Sequence, residues 1–308
     1  MDRFRVPPET FVTPEKTILN RRFQMDRFRH SVVFYIISQF ITMISQSIEG
    51  LSFDAAPEPS PACAKLLGIL EKVEEIFKET PPVTRDVRYG NPSFRTFIGK
   101  LRERCTDWHR DALPEAYQEA TIEIDVYFLD MFGSEQRLDY GTGHELNFVC
   151  WVFSFARLQV LESKEDMINI GLRLAPTYLR IVQNIQNIYT LEPAGSHGAW
   201  SVDDYNMLPF VWGSAQLFNK RFHPIDIFNE EKVEQHLDNL YNMMIHNIFL
   251  VKTGDLRVTS PFISEIHMAA DTNWQKIHSG MYRHYQNEVL CKWPIMQHFW
   301  FGSIIPFE

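Results

Sequence analysis

An all-α fold is predicted for these 308 residues by three features of the sequence. Apolar residues recur at three- and four-residue spacing, proline and small polar residues stand where those stripes begin and end, and alternating strand-like runs are scarce. Val32 to Ile44 is the most apolar stretch and reads as a buried helix, too short to cross a bilayer and interrupted by Ser38 and Gln39. Leu66, Leu67, Leu70, Val73 and Phe77 form the next stripe, between a Ser60-Pro61 start and a Pro81-Pro82 stop. Phe94, Phe97, Ile98, Leu101, Cys105 and Trp108 repeat the pattern after Asn91-Pro92, with Asn as N-cap and Pro at the first helical position. Further stripes run through 116–132, 144–161, 166–189, 203–219, 230–248 and 273–290, with connectors at 53–62, 79–92, 191–200 and 252–262. No repeat and no low-complexity linker divides the chain, so one domain over 1–308 is expected, with 1–13 a flexible N-terminal segment.

Composition narrows the function. Aromatic residues make up 14% of the chain, including 24 Phe and 7 Trp, so ring packing should fill much of the core. The net charge of −9 argues against a nucleic-acid binder, which needs a basic face to displace phosphate counterions. Arg21, Arg22, Arg27 and Arg29 cluster near the start, and such a cluster reads as a solvated face. Four cysteines without a CxxC pair point to a reduced, intracellular setting. Neither a signal peptide nor a membrane span is apparent, so a cytoplasmic protein is expected, with the nucleus also open to it.

Four segments hold more Gly, Pro and polar residues than a helical bundle needs. They are Tyr89 to Arg95 (YGNPSFR), Arg137 to Phe148 (RLDYGTGHELNF), Leu191 to Gln216 (LEPAGSHGAWSVDDY, then LPFVWGSAQ) and Gln297 to Ser303 (QHFWFGS). Familiar catalytic signatures fail on them. His144-Glu145 opens a zinc-protease HExxH, but Phe148 stands at the second His. Gly141-Thr142-Gly143 lacks the third glycine of a dinucleotide fingerprint and the Lys of a Walker A loop. Gly195 to Gly198 falls one residue short of GxSxG. A phosphate site is still physically open: a glycine turn entering a helix exposes N–H groups, and Arg137 stands nearby. Asp203 and Asp204 are hard oxygen ligands suited to Mg²⁺. The same glycines also fit a plain helix boundary and the same acids a helix cap, and the residues alone leave both readings standing.

Taken together and in this order, the four segments resemble the motifs of the phosphotyrosyl phosphatase activator family, and the likeness runs over about residues 14–306. The resemblance implies an all-α fold with core, linker and lid parts around a deep groove. It implies ATP with Mg²⁺ in that groove, the catalytic subunit of the type 2A serine/threonine phosphatase as partner, and prolyl isomerase activity on a proline-containing peptide segment. Carried onto matching positions, it gives nucleotide contacts to Arg137, Thr142, Gly143, His298, Phe299 and Gly302, and Mg²⁺ to Gly198 and Asp204. Asp139, Glu145, His197, Trp200 and Asp203 become the catalytic candidates, with Tyr140 and Glu192 lining the same groove.

Rotation about an X-Pro bond crosses a resonance barrier of about 18–20 kcal/mol without bond breaking, so such a site needs an apolar cup and no nucleophile. Trp200 and Tyr205 suit that cup; Phe210 and Trp212, at helical spacing, read as core. Two departures stand out. Ser201 replaces a glycine, and Lys252 to Ser260 reads KTGDLRVTS where the family pattern is KTGPFAEHSP. A change there is expected to weaken partner or peptide binding before ATP binding. Two other readings remain: a non-enzymatic, chaperone-like phosphatase partner that uses ATP only to order its groove, and a helical scaffold whose glycine loops are structural.

Overall fold

The computed structural model describes residues 7–84, 90–195, 202–269 and 272–307. Its first helices follow the sequence closely. After α1 (Phe23–Arg29), α2 (Val32–Ser47) starts where Ser31 accepts from the Phe34 N–H, and it buries Val33, Ile37, Ile41 and Ile44. α3 (Pro61–Lys78) is capped by Ser60, which accepts from the Cys63 N–H, with Pro61 at the first position as expected. α4 (Ser93–Ala112) begins one residue later than expected. Asn91 Oδ1 accepts from the Ser93 N–H at 3.0 Å, forming a turn before the helix.

The longer stripes break up, each for a local reason. The 116–132 stripe becomes a 3₁₀ turn, Glu115–Ala120, and then α5 (Thr121–Asp130). α6 (Thr142–Arg157) leads into α7 (Lys164–Asn169), a π turn at Ile170–Leu174 and α8 (Ala175–Ile188). Pro176, in the first turn of α8, offers no N–H to an unbroken α ladder. α9 (Leu208–Gln216) starts five residues after the predicted 203, behind the turn held by Asp203. The 230–248 stripe divides at Asn239, whose side chain caps α11 (Leu240–Val251) after α10 (Glu230–Glu234). Residues 252–262, expected as a connector, hold α12 (Leu256–Thr259) and the start of α13 (Pro261–Met268). α14 (Trp274–Tyr285), a second π turn and α15 (Trp293–Met296) complete the described helices.

The one strand pair among the described residues has no sequence signal, because each strand is two residues long. β1 (Asp139–Tyr140) runs parallel to β2 (Glu192–Pro193), with Glu192 N donating to Leu138 O at 3.0 Å and Ala194 N to Tyr140 O at 2.7 Å. Leu138 and Thr190 beside it have φ of 56° and 49°, a strained region for non-glycine residues. A single buried cluster runs through the helices and is rich in rings, as the composition led one to expect. Phe148 stacks on Tyr178 at 4.2 Å, and Phe77, Phe94, Phe97 and Tyr189 form a mutual set. Phe210 and Trp212 lie in this core, with Trp212 Nε1 donating to Ile41 O. Among the described residues no helix is long and apolar enough to cross a membrane.

Candidate functional site

The β1–β2 pair joins the second and third motif segments, and a groove of about 430 Å³ opens beside it. The first segment packs behind. Gly90, at φ +75°, takes a conformation that favours glycine, and a Cβ there would sit 2.9 Å from Leu138 Cδ1. Arg95 Nε donates to Glu135 O in the same loop. Gly141 leads into α6 with extended backbone and no side-chain cap, and the N–H groups of His144 and Glu145 both return to its carbonyl. The first turn of a 16-residue helix therefore meets the groove through Gly143.

Arg137 Nε donates to Asp139 Oδ2 at 2.7 Å. His144 Nδ1 donates to the Asp130 carbonyl at 2.6 Å, so its Nε2 faces Asp139 Oδ1 at 3.7 Å, beyond hydrogen-bond range. Among the described residues Asp139 Oδ1 is buried without a hydrogen-bond partner, and Asn147 Oδ1 is in the same state while its amide donates to Gly143 O. Both residues line the groove. Burial raises the Asp139 carboxyl, but the nearby His144 ring and the Arg137 guanidinium outweigh it and hold it below the usual carboxylate range. Burial, with the positive charges of Arg137 and Lys16, holds the His298 imidazole below its ordinary value, so that ring is neutral at neutral pH. Lys292, Ile295 and Phe299 close the far wall.

These segments match a known family in full. The family described as "Phosphotyrosyl phosphate activator (PTPA) protein" matches residues 14–307. The chain belongs to the PTPA family. Among curated relatives it is 39% identical to "Serine/threonine-protein phosphatase 2A activator 2" of Mycosarcoma maydis, over 96% of this chain and 66% of that protein. It thus spans just under two thirds of that relative's length. It is 36% identical to "Probable serine/threonine-protein phosphatase 2A activator 1" of Dictyostelium discoideum, over 97% and 91%. The crystal structure of the PP2A phosphatase activator Ypa1 PTPA1 superposes with a TM-score of 0.87 at 32% identity, covering 98% of this chain and 97% of that one.

The site residues carried over from the PTPA motifs separate into groups. Arg137, Asp139, Gly143, His298 and Phe299 meet at the groove. Gly143 has a structural duty too: a Cβ would lie 3.1 Å from Ile295 Cγ2. Thr142, the first residue of α6, is not among the residues lining the groove. Glu145 turns inward, 1% exposed, and accepts from Asn206 Nδ2, Met207 N and Leu208 N at 3.0, 3.0 and 2.8 Å. It anchors the start of α9. Burial lifts its carboxyl to about 7 in spite of these donors. Asp203 is also buried and accepts from the N–H groups of Tyr205 and Asn206 at 3.0 Å, and burial raises its carboxyl.

Tyr140 is fully buried and shares a hydrogen bond with Tyr178, while Glu192 is exposed on β2. The Tyr205 hydroxyl is committed to Leu191 O at 2.7 Å. Gly302 gives room to Glu123, whose carboxylate would stand 2.2 Å from a Cβ there. That carboxylate accepts from Val12 N, Ser303 Oγ and Ile304 N, which pins the C-terminal segment. Asp204 pairs with Lys252 Nζ at 3.0 Å and is half-exposed. His197, Gly198, Trp200 and Ser201 lie outside the described residues. Asp130, His144, Asn147 and Lys292 also line the groove and are not expected there from the sequence. The i, i+4 spacing of Gly143 and Asn147 on a helix entered through glycines was the available signal for Asn147.

Proposed function

We propose that this chain activates the catalytic subunit of the type 2A serine/threonine phosphatase, using the face around the groove with ATP held in it. One observation carries the reading: the second, third and fourth motif segments converge on a groove with two buried, unpartnered acceptors, in a family whose relatives are named for that phosphatase.

The residues present fit a nucleotide. The groove's volume of about 430 Å³ is that of a small-molecule site. Arg137 and the uncapped end of α6 attract anions, Lys292 lines the wall with its ammonium on Glu288, and Asp139 Oδ1 and Asn147 Oδ1 each await an N–H or O–H donor. ATP bound there would supply the phosphate charge that these cationic groups counter and the amino and hydroxyl donors that the two acceptors accept. For Mg²⁺ the fit at Asp204 is poorer, because a Lys252 ammonium already holds that carboxylate. Asp130 and Asp139 are the carboxylates lining the groove among the described residues.

Prolyl isomerisation draws support from Asp139, and from His197 and Trp200 only through their motif. The burial of Glu145 and Asp203, whose oxygens are spent on backbone N–H groups, favours the second reading of a non-enzymatic partner whose groove ATP orders.

The test uses the purified chain and the latent catalytic subunit. The parent should bind ATP in calorimetry and raise phosphatase activity. Arg137→Gln, at a half-exposed position, should keep the helical content, weaken ATP at least tenfold and lose the activation. A folded parent chain that neither binds ATP nor raises the activity overturns the proposal. Acceleration of proline-peptide isomerisation by the parent, lost in Asp139→Asn, would support the enzymatic form; no acceleration supports the second reading.

A further inference from the structure

A second cavity is larger than the groove, about 550 Å³, and among the described residues shares no lining residue with it. One wall is a face of α8, through Thr177, Arg180 and Gln183; the other is a face of α11, through Met243, His246 and Leu250. Spacings of three and four residues place each set on one side of its helix. The π turn before α8 adds Arg173, and Phe53 closes one end.

The chemistry of this cavity is unusual for a chain of net charge −9. Arg173 donates to Ala56 O, Pro57 O and Asn169 Oδ1, and Arg180 to Thr177 Oγ1, all of them neutral acceptors. No ion pair involves either guanidinium among the described residues. Asp54 is the one acid of the lining among the described residues and is exposed. His246 Nδ1 is buried without a hydrogen-bond partner among the described residues. Beside these polar groups, Leu250 holds 69% of its surface open to water.

We propose that this cavity binds a small amphiphilic anion, with a carboxylate or phosphate head on Arg173 and Arg180 and an apolar body against Phe53, Met243 and Leu250. Two guanidiniums facing neutral acceptors keep N–H groups for an anionic head, and a forked guanidinium suits either one. The apolar half explains why Leu250 stands open: a ligand body would cover it. His246 would find a partner in the same ligand. This site is independent of the ATP reading, because no residue is common to both.

Calorimetry on the full chain with decanoate and with phenyl phosphate tests it and separates the two heads; acetate and inorganic phosphate serve as head-only probes. One of the two amphiphiles should bind saturably, one per chain, and at least tenfold more tightly than its head alone. Arg180→Gln, an exposed change, should fold as the parent does and weaken that binding tenfold or more. Met243→Trp, which fills the space, should abolish it, while Arg137→Gln in the groove should leave it unchanged. The proposal is overturned if neither amphiphile saturates, if Arg180→Gln binds like the parent, or if Arg137→Gln removes the binding.

Discussion

Helix α6 carries two polar constellations that look alike in composition and behave differently. Toward its C-terminal half, Trp151 Nε1 donates to His109 Nε2 at 3.0 Å. The His109 ring then donates from Nδ1 to Asp125 Oδ1 at 2.5 Å, and Thr106 Oγ1 donates to Asp125 Oδ2 at 2.5 Å. Every donor meets an acceptor, and His109 is wholly buried. At the N-terminal end of α6, Asp139, His144 and Asn147 leave two buried acceptor atoms without partners. The lesson lies in satisfaction rather than residue type. A completed network belongs to the core, and an incomplete one at a groove leaves acceptors open to a donor from outside.

The closed network even carries the ligand types of a metal site, since Cys105, His109 and Asp125 present donor atoms within 4.8 Å of one another. A metal on His109 Nδ1 would leave the ring proton on Nε2, facing the Trp151 N–H with no acceptor between them. Burial, aided by the Asp125 charge, also pushes the Cys105 thiol up to about 12. The triad is structural.

The largest effect expected from breaking this contrast is on stability. His109→Ala leaves Asp125 Oδ1 and the Trp151 N–H without their partner and opens a cavity in the core, and should cost about 3–5 kcal/mol in urea unfolding. ATP affinity of the folded fraction should not change. A cost below about 1 kcal/mol would show that the network is not the closed unit described.

Glu145 lies between the two regions, buried like the first and one residue along α6 from the second. Its carboxyl is lifted from an ordinary 4.5 to about 7, so the folded protein holds that proton more tightly than the unfolded chain. The contribution is therefore full below about pH 4.5 and lost as pH rises through about 7, amounting to about 3 kcal/mol. In Glu145→Gln the fall in stability across that window should flatten. An unchanged pH profile means that another group is responsible.

The smallest stability effect should come from the open region. Asp139→Asn removes a pair whose Arg137 partner is half-exposed, at a cost of about 1 kcal/mol or less. It should nonetheless weaken ATP about tenfold, because an acceptor in the groove changes character. A stability loss as large as that of His109→Ala, with ATP affinity intact, would reverse the assignment of the two regions.

Periodicity and end signals made the helices legible: Ser60-Pro61 starts α3, and the stripe through Phe94 and Trp108 is α4. Where a stripe contained an internal break the sequence showed less, as at the π turn before Pro176 or the Asn239 cap inside 230–248. Both breaks rest on backbone hydrogen bonding, to which an apolar pattern is blind. The site was legible as segments. The groove was present in Arg137, Asp139, Gly143, His298 and Phe299, while Glu145 and Gly302 stood in the same motifs without facing it.

By itself, then, the sequence determined a helical chain and, through its four segments, the family. Those depend on neighbours three or four residues away and on the order of residues along the chain. Only the tertiary structure decided which carboxylates face the groove. Glu145 is spent on Met207 and Leu208, more than sixty positions on, and Gly302 is set against Glu123 across more than half the chain. The solvation of a charged group is set by whichever segment folds over it, and that partner is not written beside it in the chain.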